Sequence, residues 1–162
     1  MQLAQLNIAE AKFGTDDSLM DGFTGRVDII NAMADRSPGF IWRLTDDDET
    51  DGALSLRMEG QNEYTLVNMS IWTDIESLFH FIYKTAHAKV MQGKDDWFTP
   101  MTRNHMVLWW IEDGHIPSMD EAKIKLDAIR ANGPSPEAFD FQTPFSKDGL
   151  PVKTNFPKKD CA

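Results

Sequence analysis

The run His105-Met106-Val107-Leu108-Trp109-Trp110-Ile111 constrains this chain most, because after His105 it offers no polar position on either side of a strand. Successive side chains of a β-strand point to opposite faces, so this strand needs an apolar layer above it and another below. Trp109 and Trp110 then point opposite ways, one toward packed helices and the other into whatever closes the second face.

The patterns around that run come in a definite order. Residues 3–9 alternate, with Ala4, Leu6 and Ile8 on one side and Leu3, Gln5 and Asn7 on the other, the period of a strand. After Gly14, Asp16, Asp17 or Ser18 can cap a helix whose Met20, Phe23, Val27, Ile30 and Ala34 recur at helical spacing, and Pro38-Gly39 end it. Residues 40–44 form a second strand and 64–71 a third, both rich in β-branched and aromatic side chains. Thr73 with Glu76 makes a capping box for a second helix, whose stripe of Ile75, Leu78, Phe79, Ile82, Ala86 and Val90 runs on to a stop at Gly93. Past the fourth strand, Ser118 with Glu121 opens a third helix through Ala122, Leu126 and Ile129, closed by Gly133-Pro134.

This β-α-β-β-α-β order, followed by an extra C-terminal helix, predicts an α+β domain of ferredoxin-like topology, with a four-stranded antiparallel sheet and its two helices on one face. The other face needs a cover. A second copy of the chain, pairing sheet to sheet as a dimeric α/β barrel, is the economical one. One domain is expected over residues 1–145. A flexible C-terminal tail is expected over 146–162, where Gly149, Pro151, Pro157 and Lys158-Lys159 leave too few apolar residues for an amphipathic element. Phe139, Phe141 and Phe145 form an arm that docks on the body or on the partner subunit.

Several function classes drop out. With 16 basic against 26 acidic residues, the formal charge of -10 repels nucleic-acid phosphates and anionic membrane surfaces. The one cysteine, Cys161, gives no disulfide and no thiolate cluster, which points to a cytoplasmic setting. No signal peptide and no membrane-spanning apolar run is legible. The acidic run at residues 46–49 with Asp51 is a solvated loop, and phosphate-loop, His-Glu-x-x-His and Gly-x-Ser-x-Gly patterns are absent.

What remains is a set of polar and aromatic side chains at positions that should face inward. Asn7 sits inside a strand, where an asparagine needs either a protein partner or a ligand oxygen. Asn68, Ser70 and Trp72 share one face of the third strand and Gln5 can join them, giving a few polar groups among apolar ones as ligand pockets do. On the second helix, His80 and His87 lie seven residues apart on one face, with Tyr83 between them and Met91 beyond. Roughly 10 Å separates the two imidazoles, too far for one zinc ion whose nitrogen ligands sit at about 2 Å. A single imidazole can still serve as general base, general acid or axial ligand to haem iron. The plain alternative for His87 is a ring that satisfies a backbone carbonyl at the helix edge. Trp72 and Trp97 are candidate pocket walls, since aromatic faces stack on flat ligands.

Six segments carry a resemblance: residues 3–7 (Leu-Ala-Gln-Leu-Asn), 67–72 (Val-Asn-Met-Ser-Ile-Trp), 83–87, Trp97-Phe98, Leu108-Trp109-Trp110 and 133–139 (Gly-Pro-Ser-Pro-Glu-Ala-Phe). Together, in that order, they resemble the domain-of-unknown-function family numbered 3291, over about residues 3–145. The resemblance implies the dimeric α/β-barrel superfamily, which includes antibiotic-biosynthesis and haem-degrading monooxygenases. It implies a pocket within each subunit, between the sheet and its helices, and in many members oxidation of aromatic substrates with no bound metal or flavin. In the haem-degrading branch the site is an asparagine of the first strand with a tryptophan and a later histidine of the second helix. Asn7 and His87 match two of these. Phe79 and Phe81 stand in the helix where the tryptophan would be, and Trp72 belongs to the preceding strand end.

The leading expectation is therefore a homodimeric small-molecule enzyme, monooxygenase-like or isomerase-like, acting on a flat organic substrate without a cofactor. His87 would transfer the proton and Asn7 polarise a substrate oxygen, with Gln5, Asn68, Ser70, Trp72, His80, Tyr83, Met91 and Trp97 lining the ligand. Two alternatives stand beside it: a haem protein with His87 as axial ligand, and a non-catalytic dimeric binding module.

Overall fold

Apolar side chains on both sides of the first strand put it in the middle of the sheet. In the computed structural model, which describes residues 1–45 and 64–154, β1 (Gln2–Ala11) pairs antiparallel with β3 (Thr65–Trp72) on one side and β5 (Met106–Ile111) on the other. β2 (Phe40–Arg43) extends the sheet beyond β3, and the short β4 (Phe98–Thr99), entered from the single-turn α4 (Lys94–Trp97), pairs with the end of β1 that β5 does not reach. The order β2-β3-β1-β5, every pair antiparallel, is the ferredoxin-like one, with α1 (Asp21–Asp35) between β1 and β2 and α2 (Ile75–Lys84) after β3.

The second face of the sheet is closed by the chain itself. Ala4, Leu6 and Ile8 of β1, Val67, Met69 and Ile71 of β3, and Val107, Trp109 and Ile111 of β5 are all between 0% and 4% exposed, under Ala122, Leu126 and Ile129 of α5 (Met119–Asn132). Trp109 Nε1 donates to Glu121 Oε1 at 3.0 Å, tying the strand to that helix. Side chains of this size each stabilise by about 1.5–3 kcal/mol when removed from water. On this face the cover that the sequence reading gave to a second copy is supplied, among the described residues, by α5.

The helix ends explain their own positions. Ser118 caps α5 by accepting from Glu121 N at 3.1 Å, and Gly133, at φ 75°, ends it in a conformation that suits a residue without Cβ. For α2 the cap is Asp74 rather than Thr73. Asp74 Oδ1 accepts from Ser77 N at 2.7 Å, while the Thr73 hydroxyl donates to Asp74 Oδ2 and steadies it. Asp17 caps a short 3-10 turn (Ser18–Met20), and α1 begins only at Asp21.

The arm docks on its own body. Phe139 exchanges both backbone hydrogen bonds with Leu108 along the free edge of β5, and Phe139 and Phe141 are buried beside α2. Beyond residue 145, where a flexible tail is expected, the chain closes a turn: Ser146 N donates to Leu150 O at 2.8 Å and Val152 N to Pro144 O at 2.9 Å. Trp110 holds that turn, its Nε1 donating to Phe145 O at 2.8 Å with Lys147 Nζ over its ring. Residues 155–162, including Lys158-Lys159 and Cys161, and the acidic run at 46–51 lie outside the described residues.

Candidate functional site

The helical pattern from Ile75 to Val90 looks unbroken in sequence, yet the helix stops at Lys84. Thr85 takes an extended backbone, φ -109° and ψ -174°, and α3 (Ala86–Val90) starts on a new axis. The Thr85 hydroxyl serves both ends: it donates to Phe81 O at 2.6 Å and accepts from His87 N at 3.2 Å, as an N-cap of α3 does. His80 and His87 consequently do not share a helix face. His80 is exposed, and His87 is half-buried at the break.

That break fixes the imidazole of His87. Its Nδ1 lies 3.2 Å from Ile82 O, and since a carbonyl only accepts, Nδ1 carries the hydrogen and Nε2 the lone pair of the neutral ring. Burial pushes the His87 pKa below the ordinary histidine value, against the opposing pull of the Ile82 carbonyl. Near pH 7 the ring is therefore neutral, with its basic nitrogen on the side away from the helix end.

Aromatic rings connect His87 to the sheet. The Phe81 ring centroid is 5.2 Å from that of His87, and Phe81 stacks on Trp72 at 5.3 Å with 29° between planes. Trp72 Nε1 donates to Ser70 Oγ at 2.9 Å, and Ser70 Oγ donates to Gln5 Oε1 at 2.9 Å. Gln5 and Ser70 are directly opposed across β1 and β3, and both are buried. The next row along the same face is Asn7 opposite Asn68, flanked on β5 by Met106, where helix cover thins: Asn7 is half-buried and Asn68 exposed. This row lies between two packed clusters, one around Leu3, Trp72 and Leu78, the other around Ala11, Met20 and Leu66.

The remaining expected lining residues fall elsewhere. Trp97 O accepts from Lys12 N at 2.8 Å, whereas Trp72 pairs with Leu3, so the two tryptophans are anchored near opposite ends of β1. Trp97 packs instead against Phe23, and Gly22 and Gly93 bring backbone close to its ring. Tyr83 packs against Phe79 and edge-on against Phe141 of the arm. Met91 opens a 3-10 turn (Met91–Gly93), and its side chain lies outside the described set.

Two features escape the sequence reading. Phe81, which bridges His87 to Trp72, is visible in sequence only as an apolar helix position. A cleft of about 310 Å³ lies between the 101–106 loop and Asp140 and Gln142 of the arm, touching the polar row at Met106. The loop has no periodic signal to announce it. Among the described residues no group of three or more His, Cys, Asp and Glu is arranged to hold a metal ion, and no helix is long and apolar enough to cross a membrane.

No curated protein sequence matches the chain. Among solved structures it is similar to SnoaB, a cofactor-independent oxygenase from Streptomyces nogalater, at 15% identity and a TM-score of 0.47, over 72% of this chain and 98% of that one. It is also similar to a protein of unknown function from Nitrosomonas europaea, at 13% identity and a TM-score of 0.47, over 72% of this chain and 95% of the other. A family profile described as "Domain of unknown function (DUF3291)" matches residues 2–155. With the match running over nearly the whole length, the chain belongs to the DUF3291 family.

Proposed function

We propose that the protein is a small-molecule enzyme in which the neutral imidazole of His87 removes a proton from a flat, phenol-like or enol-like substrate, Asn7 polarising the substrate oxygen. The observation that carries this reading is the Nδ1 contact to Ile82 O, which fixes the tautomer of the half-buried ring and leaves Nε2 as its basic nitrogen. Deprotonation makes an electron-rich anion. Dioxygen can then act as co-substrate, one oxygen atom entering as a carbonyl at an aromatic-flanked methylene and the other leaving with its two hydrogens as water. Every group invoked comes from one chain, so the chemistry requires no second subunit.

Oxygen uptake with a panel of hydroxylated polycyclic aromatics tests this. His87→Gln should lower the rate roughly 10²–10⁴-fold, the range for losing a positioned general base. Turnover unchanged in that variant would remove the claim.

The same Nδ1 contact also favours a second reading, because histidines that ligate metal commonly donate their other ring N–H to a carbonyl. His87 would hold the iron and Phe81 would pack beside the bound group, and haem would supply iron for oxygen activation. Haemin titration separates the two. A sharp, stoichiometric Soret shift that disappears in His87→Ala supports haem binding, and weak, nonspecific spectra reject it. A protein that neither turns over any substrate nor takes haem would be the non-catalytic binding module.

A further inference from the structure

The hydrogen-bond chain from Trp72 has a direction. An indole N–H can only donate, so Ser70 Oγ must accept from Trp72, and its own hydroxyl proton is then free to donate to Gln5 Oε1. The carboxamide of Gln5 is held oxygen-inward, and its NH2 faces the other way. Among the described residues that NH2 has no protein partner, and none of their fully buried side-chain nitrogens or oxygens lacks one. The Gln5 NH2 therefore reaches accessible space, although the residue as a whole is only 5% exposed. Asn7, whose amide has no hydrogen-bond partner among the described residues, stands one row further on the same face.

We propose that Gln5 is a ligand-binding residue, its NH2 preset by the Trp72–Ser70 chain to donate to a carbonyl or phenolate oxygen of a flat aromatic ligand. Ser70 and Trp72 are positioning residues that act through it. This rests on the reading of the site as a pocket for a flat organic molecule, and it names the group that the ligand must present: an oxygen acceptor, not a donor. A donor on the ligand would meet the NH2 head-on and lose affinity, since two donors leave each other unpaired.

Two soluble probes of equal charge and similar shape test it: anthraquinone-2-sulfonate, with ring carbonyls, and anthracene-2-sulfonate, without them. Binding is followed by tryptophan quenching, and the Trp72 indole N–H by hydrogen exchange. The wild-type chain should prefer the quinone roughly three- to tenfold, the effect of one hydrogen bond in a desolvated site. Gln5→Met and Ser70→Ala should each bring that ratio to about one, while Ser70→Thr, which keeps the hydroxyl, restores it. Hydrogen exchange of the Trp72 indole should speed up in Ser70→Ala and slow again in Ser70→Thr, a readout that needs no ligand. Equal affinities in the wild type, no binding of either probe, a preference that survives Gln5→Met, or indole exchange indifferent to Ser70→Ala overturns the proposal. A carbonyl preference that stands while His87→Gln keeps full turnover would sink the proton-transfer reading and leave this one; the reverse result would sink this one alone.

Discussion

Thr85 is the residue on which the position of His87 turns, and Thr85→Ala isolates its role. The hydroxyl makes two bonds, to Phe81 O at 2.6 Å and from His87 N at 3.2 Å. Losing an N-cap costs about 1 kcal/mol, and losing the bond to the last turn of α2 adds a fraction of that at a half-buried site, so a fall of about 1–2 kcal/mol is expected. Alanine also has the highest helix propensity, which lets α2 run straight into α3. In a continuous helix Ile82 O accepts from the backbone N–H of residue 86, four positions on, and is no longer available to the His87 ring. His87 then loses its partner and its shielding, and its pKa rises back toward the ordinary histidine value. Urea unfolding gives the stability, and the imidazole C–H resonances followed against pH give the titration. Thr85→Ser, which keeps the hydroxyl, should recover both. A Thr85→Ala protein of wild-type stability whose His87 still titrates low would refute the double-capping argument.

Other consequences are as direct. Because the folded state holds His87 below its ordinary pKa, its contribution to stability is fully present above about pH 6.5 and is lost as pH falls from there through the lower folded value. Urea midpoints measured down that range should show a slope that His87→Gln lacks. Burial pushes the Asp74 carboxyl up, but the hydrogen bonds from Ser77 N, Thr73 and the Ser77 hydroxyl outweigh it and hold the pKa low. Asp74→Ala should cost about 1 kcal/mol at neutral pH, and the difference from wild type should vanish in strong acid. Gly39, at φ 81°, sits where an added Cβ would overlap the Ser77 and Thr73 side chains, so Gly39→Ala should destabilise by more than about 2 kcal/mol in thermal or urea unfolding.

How much of this is legible in sequence depends on whether the information is local. The alternation in residues 3–9 and the two-sided apolar run of β5 locate the central strands, because period and burial are properties of a few neighbours. The helical stripe of Ala122, Leu126 and Ile129 is equally visible, but nothing local says that it will lie on the sheet face opposite α1 and α2. The same limit misplaces the histidines. Residues 75–90 keep a helical period straight through Thr85, and the break comes from a hydroxyl competing for backbone partners, which leaves no trace in an apolar pattern. That Gln5, Asn7, Ser70 and Trp72 face one side follows from alternation. That Gln5 stands opposite Ser70 follows only from the pairing register, and a one-residue slip would send the two side chains to opposite faces. Trp97 shows the same limit: its aromatic character is readable, but that it packs against Phe23 while Trp72 packs against Phe81 is not.

The two faces of the sheet divide the work between them. Polar side chains on a packed surface destabilise unless each finds a partner, and a row of Gln5, Ser70, Asn7 and Asn68 across neighbouring strands is a poor choice for a chain selected on stability alone. The opposite face carries no such interruption from Ala4 to Ile8 or from Val67 to Ile71, and α5 seals it with aliphatic side chains. The strands that hold Gln5 and Ser70 are therefore anchored from behind, which is what a preset donor needs, since an amide on a shifting strand could not keep its NH2 aimed at one ligand oxygen. Loosening that rear layer should reach the site indirectly. Leu126→Ala, with Leu126 1% exposed, removes about 2–5 kcal/mol of stability. In the variant that still folds, the quinone preference should weaken together with protection of the Trp72 indole N–H. A Leu126→Ala protein that is strongly destabilised yet keeps both would show that the polar row is held by its own hydrogen bonds and owes nothing to the helix behind it.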